Sequence, residues 1–375
     1  MRKNIIILGE EYWFQKTDEP YFTEASELIK YLEDHRDMRF DYNIIKSPAE
    51  FLTTIEKLGE DTIKGIFLFQ DVLSDSNLNN KTIMEMKEIV SKLSKDIYVY
   101  PPLDVIDTFA SKNYNKTLNE KLPWAALPKT RVLFFPNYMP EDENKILTKL
   151  WFTLQDMWKT FNKVVVKKGY SYEGKQVKTF AKDKFKDFYE FRDFARKLNY
   201  KSFWGQGTNS IKIDKGVTRY YILQGFNKVV TKRENEYRVF FHNGNPKYIA
   251  HGDRITNTCL VDEVKKPLER YIISFARQLY KKYIPLIWTL PRKPILFRID
   301  VSYAVDPEFQ DEYSQNVPGF ETPVRFYANE MEIDPTSFFY NKFNCNKKLS
   351  GKNFDSGLIQ RNMGKYISKY IKNLK

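Results

Sequence analysis

The residues with the most chemistry in them sit in two short runs. The first is Phe297-Arg298-Ile299-Asp300-Val301; the second, about thirty residues on, is Asn329-Glu330-Met331-Glu332-Ile333-Asp334-Pro335. Each is apolar at alternate positions and β-prone, the pattern of a buried strand. Successive side chains of a strand point to opposite faces. Arg298 and Asp300 therefore share one face of the first strand, and Glu330, Glu332 and Asp334 share one face of the second. A carboxylate on a core strand is costly unless a cation meets it. Three or four carboxylate oxygens facing one arginine suit a hard ion such as Mg2+ held beside a phosphate. The two runs together read as a metal–nucleotide site.

Other elements must bring partners to those strands. The first hundred residues alternate strands with helices: strands at 4–8, 40–45, 66–69 and 97–100, helices at 24–36, from Ser47-Pro48-Ala49-Glu50 onward, and at 81–94. Serine as cap with proline in the first turn marks the second helix start. This alternation predicts a small parallel sheet covered by helices. Gly9 is not followed by a G-x-G-x-x-G fingerprint, so this sheet is expected to contribute substrate contacts and not the nucleotide site. Residues 104–122 read as one helix carrying Lys112, Lys116 and Lys121. Leu127 to Leu133 is a turn entering a strand, and 141–161 is a helix.

From 163 the pattern changes. Lys163 to Lys167 is a β-branched strand, followed by a turn bounded by Gly169 and Gly174-Lys175. The spacing mimics a phosphate-binding P-loop, but Gln176 stands where Ser or Thr should bind Mg2+, and the setting is strand–turn–strand. A flap whose backbone N–H groups touch phosphates is the better reading, with a plain hairpin as the alternative. A helix is expected at 183–197, strands at 211–213 and 220–224, a break at Gly225-Phe226, and a strand at 236–241. That strand turns at Asn243-Gly244, a hairpin signal. A Lys- and Arg-rich helix covers 263–281. Residues 306–322 read as a polar loop inserted between the two site strands. The basic tail, 357–375, has apolar residues at helical spacing and reads as a helix packed on the core, its charges a solvated face.

Composition bounds the function. The chain has 375 residues, 42% hydrophobic, enough for two or three domains. A net charge of +13 favours an anionic partner such as nucleotide, polyphosphate, acidic peptide or nucleic acid. Cys259 and Cys345 give neither a disulfide framework nor a zinc set, and point to a reducing compartment. His35, His242 and His251 do not fall at metal-ligand or triad spacing. The apolar run after Met1 is too short for a signal peptide core, and no run approaches a membrane span. A cytoplasmic protein with no membrane partner is expected.

Taken in order, these pieces resemble the ATP-grasp superfamily, whose members include D-alanine–D-alanine ligases, ribosomal-protein-modifying glutamate ligases and tubulin–tyrosine ligases. The resemblance covers residues 1 to about 340. Leu127-Pro128-Lys129-Thr130 is similar to the "l-P-x-T" entry to the nucleotide-binding part, and Val164-Val165-Val166-Lys167 with its glycine-bounded turn to the lid strand and flap. Ile222-Leu223-Gln224-Gly225-Phe226 is similar to the hinge around adenine, and Glu236-Tyr237-Arg238-Val239 to the "acid-x-Arg-Val" strand. Arg298-Ile299-Asp300-Val301 matches "R-I-D-V", and Glu330-Met331-Glu332-Ile333-Asp334-Pro335 matches "E-x-N-x-x-P" with glutamate for asparagine.

The resemblance implies an α/β (α+β) ATP-grasp fold in four parts: an N-terminal parallel βα domain (1–104), a connection (105–162), a small lid (163–226) and a C-terminal antiparallel-sheet domain (227–375) containing the insertion. It implies ATP and two Mg2+ ions, with Mn2+ as an alternative metal. Asp300 and Glu330 would hold metal, Glu330 bridging two ions, and Glu332 would replace the asparagine ligand. Arg298 would stabilise the transferring phosphoryl group or acyl phosphate. Lys167, Gly169 and Gly174 would meet phosphates from the lid. Lys116, or Lys112 in its place, would add a second phosphate contact; the spacing to Pro128 does not distinguish them. Gln224 and Phe226 would frame adenine, and Arg238 lies on the nucleotide side. Gly225 stands where the family carries an acid, which leaves the ribose contact unassigned.

The activity implied is an ATP-dependent ligase joining a carboxylate to an amine through an acyl phosphate, which needs no side-chain nucleophile. Its partners would be ATP and an acidic or carboxylate substrate, a peptide or protein among the candidates. A different class is an ATP-binding assembly factor or chaperone for a protein partner. A further one is nucleic-acid processing, disfavoured because the K-x-D-G signature of nucleotidyl-transferring ligases is absent. Trp204 as a ligand cover, Arg254 as a substrate contact and Lys175 as a phosphate contact are weighed against a buried tryptophan, a solvated arginine and a surface lysine.

Overall fold

The computed structural model describes residues 2–9, 26–69, 88–135, 143–169, 177–198, 219–231, 235–251, 258–333 and 356–374. Gly174, Lys175, Trp204, Arg254 and Asp334 lie outside the described residues.

Three sheets organise the chain. In the first, β1 (Lys3–Leu8), β2 (Phe40–Ile45), β3 (Ile63–Leu68) and β4 (Tyr98–Tyr100) run parallel in the order β2-β1-β3-β4. Its strands are apolar on both sides because both faces are covered. Ile6, Leu8, Ile66 and Leu68 pack with Phe51 and Ile55 of helix α2 (Pro48–Leu58). Ile5, Ile7 and Phe67 pack on the other face against Leu28 and Leu32 of α1 (Ser26–Asp34). The expected start of α2 is present: the Ser47 hydroxyl accepts from the Glu50 N–H at 3.2 Å, and the Glu50 carboxylate accepts from the Lys46 N–H at 3.0 Å.

The single helix expected over 104–122 is two: α3 (Leu103–Ala110) and α4 (Tyr114–Lys121). They break at Lys112, whose φ of 59° no helix accommodates. Lys112 at the break is 8% exposed.

The second sheet is antiparallel: β5 (Arg131–Phe135), β6 (Lys163–Lys168), β7 (Val177–Ala181) and β8 (Arg219–Gly225), in the order β5-β8-β6-β7. Helix α5 (Glu143–Met157) and α6 (Phe188–Leu198) cover one face through Leu150, Trp151, Leu154 and Phe191 against Leu133, Val164, Val166 and Phe180. β5 thus pairs inside the lid sheet, although sequence placed it in the connection before the lid; that pairing, Arg131 with Leu223 through Phe135 with Arg219, is non-local.

The third sheet has the order β11-β10-β9-β12-β13, built from β9 (Tyr237–His242), β10 (Asn245–His251), β11 (Thr258–Leu260), β12 (Leu296–Ala304) and β13 (Arg325–Glu332). Asn243 and Gly244, with φ of 47° and 79°, close the predicted β9–β10 hairpin. The 21-residue α7 (Pro267–Ile287) covers one face, where Ile272, Ala276 and Leu279 meet Val239, Phe297, Ile299 and Val301. Helix α8 (Ser356–Ile371) folds back onto the N-terminal sheet, with Met363, Ile367 and Ile371 beside α1.

The insertion 306–322 is packed. A one-turn helix at Pro307–Phe309 buries Phe309 in the lid core, its ring stacked on Phe161 at 5.3 Å, and Gln315 bridges to Val324. The fully buried Arg325 fastens the base. It bonds Asp311 at 2.7 Å and the carbonyls of Trp124, Pro123 and Ala126 at 2.6, 3.0 and 3.1 Å. Among the described residues no helix is long and apolar enough to cross a membrane.

Candidate active site

The third sheet has one apolar face, under α7; its other face is apolar where Phe240, Tyr248 and Leu296 join the core of the first sheet and charged where β9, β12 and β13 meet. β12 and β13 pair with Arg298 opposite Glu332 and Asp300 opposite Glu330, and β9 places Arg238 opposite Asp300. Directly opposed residues share a face. The alternation expected from sequence therefore brings all five side chains together. The register slips between Asp300 and Val301, so Asn329 has no opposite number and forms a β-bulge. Bulges redirect a side chain beside a site, and this one adds Asn329 to the charged face.

The contacts form one network. Arg298 grips both oxygens of Asp300, Nε at 2.7 Å and Nη2 at 2.9 Å, and reaches Glu332 with Nη1 at 2.8 Å. Its distance to Glu330 is 4.0 Å. Arg238 lies 3.6 Å from Asp300 and 3.5 Å from Glu236. Lys112 meets Glu330 at 2.5 Å. From the lid, Lys167 donates to the Asn329 side-chain oxygen at 2.8 Å, and the Asn329 amide donates to Glu236 at 3.0 Å. Four carboxylates thus face four cations.

Burial and charge set their titration. The Asp300 carboxyl is pushed up to about 6 by burial, against the pull of Arg298 and Arg238. Glu332 is pushed up to about 7 by burial, with Arg298 opposing and Glu330 and Asp300 reinforcing. Burial raises Glu330 too, but Lys112, Arg298 and Lys167 together outweigh it and bring it down to about 2. Burial pulls the Lys167 ammonium down to about 8, with Glu330 resisting. For Lys112 burial likewise pulls down, yet Glu330 and the neighbouring groups prevail and the net shift is upward.

A divalent cation suits this donor set in kind. Carboxylate oxygens on adjacent strands are hard ligands of the sort Mg2+ and Mn2+ take. Burial keeps Asp300 and Glu332 above the ordinary carboxylate range although Arg298 touches both. Among the described residues no three acidic, imidazole or thiol side chains form a ready-made metal-ligand group. Arg298 stands between Asp300 and Glu332, and Lys112 holds Glu330. An ion has to exchange places with these cations.

The chain aligns over 98% of its length with D-cycloserine synthetase DcsG, over 99% of that chain, at a TM-score of 0.53 and 10% identity. The fold is ATP-grasp. D-alanine–D-alanine ligase from Bacillus anthracis matches at 13% identity and a TM-score of 0.45, covering 98% of this chain and 99% of that one. The ATP-grasp ligase PsnB, solved with its precursor peptide PsnA2 and AMPPNP, matches at 10% identity and 0.41, covering 96% and 95%. No protein-family model matches the chain, and no curated protein matches it in sequence.

Within this ATP-grasp frame the remaining expected residues divide. Lys112, and not Lys116, belongs to the charged network; Lys116 lies on the exposed side of α4, 4.0 Å from Glu120. Lys167 extends from β6 on the side opposite the buried Val164 and Val166, the side it shares with Gln224 and Ile222 of β8. Gln224 is 3% exposed and bonds the Thr130 hydroxyl at 3.4 Å, which ties the hinge to the "l-P-x-T" turn. Phe226 offers its N–H to the Lys163 carbonyl at 3.0 Å and its ring to Lys163. Its backbone donor is therefore engaged within the lid.

Gly169 and Gly225 have steric reasons to be glycine. A Cβ on Gly169 would stand 2.4 Å from the Ser111 carbonyl oxygen, at the break that presents Lys112. One on Gly225 would stand 2.6 Å from the Phe161 ring, which accounts for glycine where the family carries an acid. Two network members were not singled out as site residues by sequence. Glu236 carried a signal, its place two residues before Arg238 on the same strand face. Asn329 carried none, because a bulge is invisible in the alternation of its strand.

Proposed function

We propose that the chain is an ATP-dependent ligase that joins a carboxylate to an amine by way of an acyl phosphate. The observation that supports it is the convergence of Asp300, Glu330, Glu332, Arg298, Lys112 and Lys167 on one buried sheet face, below the lid sheet of an ATP-grasp fold. Asp300 and Glu330, with Glu332 beside them, would hold Mg2+, which when bound supplies charge neutralisation at the phosphates. Lys167 from the lid and Lys112 from the α3–α4 turn orient the β- and γ-phosphates. Arg298, already fixed by both Asp300 oxygens, presents its remaining N–H groups to the oxygens of the transferring phosphoryl group. The acceptor amine then attacks the acyl phosphate carbonyl, and inorganic phosphate leaves. Positioning and charge carry the rate, and no protein nucleophile enters.

The test has two stages. ATP with Mg2+ at 100 times Kd should stabilise the protein by about 2.7 kcal/mol. ADP release is then followed with pools of amino acids and of acidic peptides. Turnover raised by one pool supports a ligase. Stabilisation without turnover on any pool, joined to a tightly co-purifying protein, supports an assembly factor instead. No stabilisation by ATP and Mg2+ overturns both.

A further inference from the structure

The charge of +13 is unevenly spread. Residues 265–282 hold six cations, Lys265, Lys266, Arg270, Arg277, Lys281 and Lys282, against one acid, Glu269. Glu269 is 8% exposed and turned inward, while the six cations are exposed. Helical geometry sorts them. At about 100° per residue, Lys266, Arg270, Arg277 and Lys281 fall within an arc of about 60°, forming a ridge about 22 Å long. Ser274 sits on the same ridge, so no carboxylate interrupts it. Among the described residues Arg270, Arg277, Lys281 and Lys282 have no ion-pair partner; Lys266 alone lies 3.7 Å from Glu269. The opposite face of α7 is committed to the core. The ridge therefore points away from the charged network on the far side of the same sheet, and that network does not use it.

We propose that the outer ridge of α7 is a docking surface for the phosphate backbone of a nucleic-acid duplex. Four cations over about 22 Å match a run of phosphates, and the ridge lacks the apolar or aromatic centre that a protein partner requires. Contact of this kind reads charge and not base sequence.

Four phosphate contacts give a log–log slope near −3.6, so affinity for a duplex should fall about 10²-fold between 50 and 200 mM salt. The experiment is fluorescence anisotropy of the full chain with a fluorescein-labelled 20-base-pair DNA duplex, across that salt range. Arg270→Gln, Arg277→Gln and Lys281→Gln are then combined in one protein, whose fold is checked by circular dichroism and whose site is untouched. Removing three contacts should lower the slope by about 2.7, leaving roughly a 3-fold loss over the same range. A triple variant that keeps the wild-type slope overturns the assignment, as does a wild type that fails to bind at 50 mM salt. A polyglutamate 20-mer that binds the ridge more tightly than the duplex also overturns it, in favour of an acidic protein.

Discussion

Replacing Glu330 by glutamine keeps the shape of the side chain and removes the charge that holds Lys112. The carboxyl sits at about 2 in the folded chain, against an ordinary 4.5. That difference corresponds to about 3 kcal/mol at neutral pH before screening. With 32% of the Glu330 side chain open to solvent, screening reduces the figure, and about 2–3 kcal/mol is expected. For about 375 residues this lowers Tm by about 3–4 °C. The sign is testable as well. A carboxylate depressed in the folded state stabilises fully above its unfolded pKa. The wild type should lose this contribution as pH falls from 4.5 towards 2, and Glu330→Gln should not. The decisive assay is a double-mutant cycle with Lys112→Met, read by thermal unfolding at pH 7. Because each single variant leaves one buried charge alone, the double variant should recover about 2 kcal/mol of the summed losses. Glu330→Gln should also abolish the stabilisation by ATP and Mg2+, with or without Lys112. Additive losses within 0.5 kcal/mol, or an unchanged nucleotide response, would refute the reasoning.

Three further outcomes follow from the same geometry. Lys167→Met should stabilise the ligand-free protein by about 1–2 kcal/mol at pH 7 while weakening the nucleotide response, because burial depresses its ammonium to about 8. A depressed lysine costs stability below its folded pKa, so this gain should vanish as pH rises from 8 to 10.5; a destabilised variant at pH 7 would contradict it. Gly225→Ala should cost about 1–3 kcal/mol through its clash with the Phe161 ring, and Phe161→Leu should restore part of it, measured by the unfolding midpoint. Arg325→Lys should cost about 2–4 kcal/mol in the same measurement. An ammonium lacks the planar fork that serves Asp311 and three carbonyls at once.

What sequence could see here was set by range. The two site strands, the parallel N-terminal sheet, the capped start of α2 and the Asn243-Gly244 hairpin depend on neighbours along the chain, and all were legible. Alternation put Arg298 and Asp300 on one face of β12 and Glu330 and Glu332 on one face of β13; the pairing that sets Asp300 opposite Glu330 came from the structure. The break at Lys112 was not legible. There Lys112 meets a carboxylate 218 positions away and Gly169 lies close to Ser111, partners that a reading of 104–122 as one local helix does not contain. The bulge at Asn329, the pairing of β5 with the lid and the seating of Phe309 on Phe161 fail for the same reason: each is decided by a partner from elsewhere in the chain. The insertion looked like free loop because its polar composition hides the two residues, Phe309 and Asp311, that bind it down.

The return of α8 to the first sheet has a consequence during synthesis. Ile5, Ile7 and Phe67 keep one side of that sheet incompletely covered until Met363, Ile367 and Ile371 have left the ribosome. At about 5–20 residues per second, the interval between Phe67 and Ile371 is roughly 15–60 s. For that time the nascent N-terminal half carries a greasy, unshielded flank, and the cell must guard it or the chain must wait to finish folding.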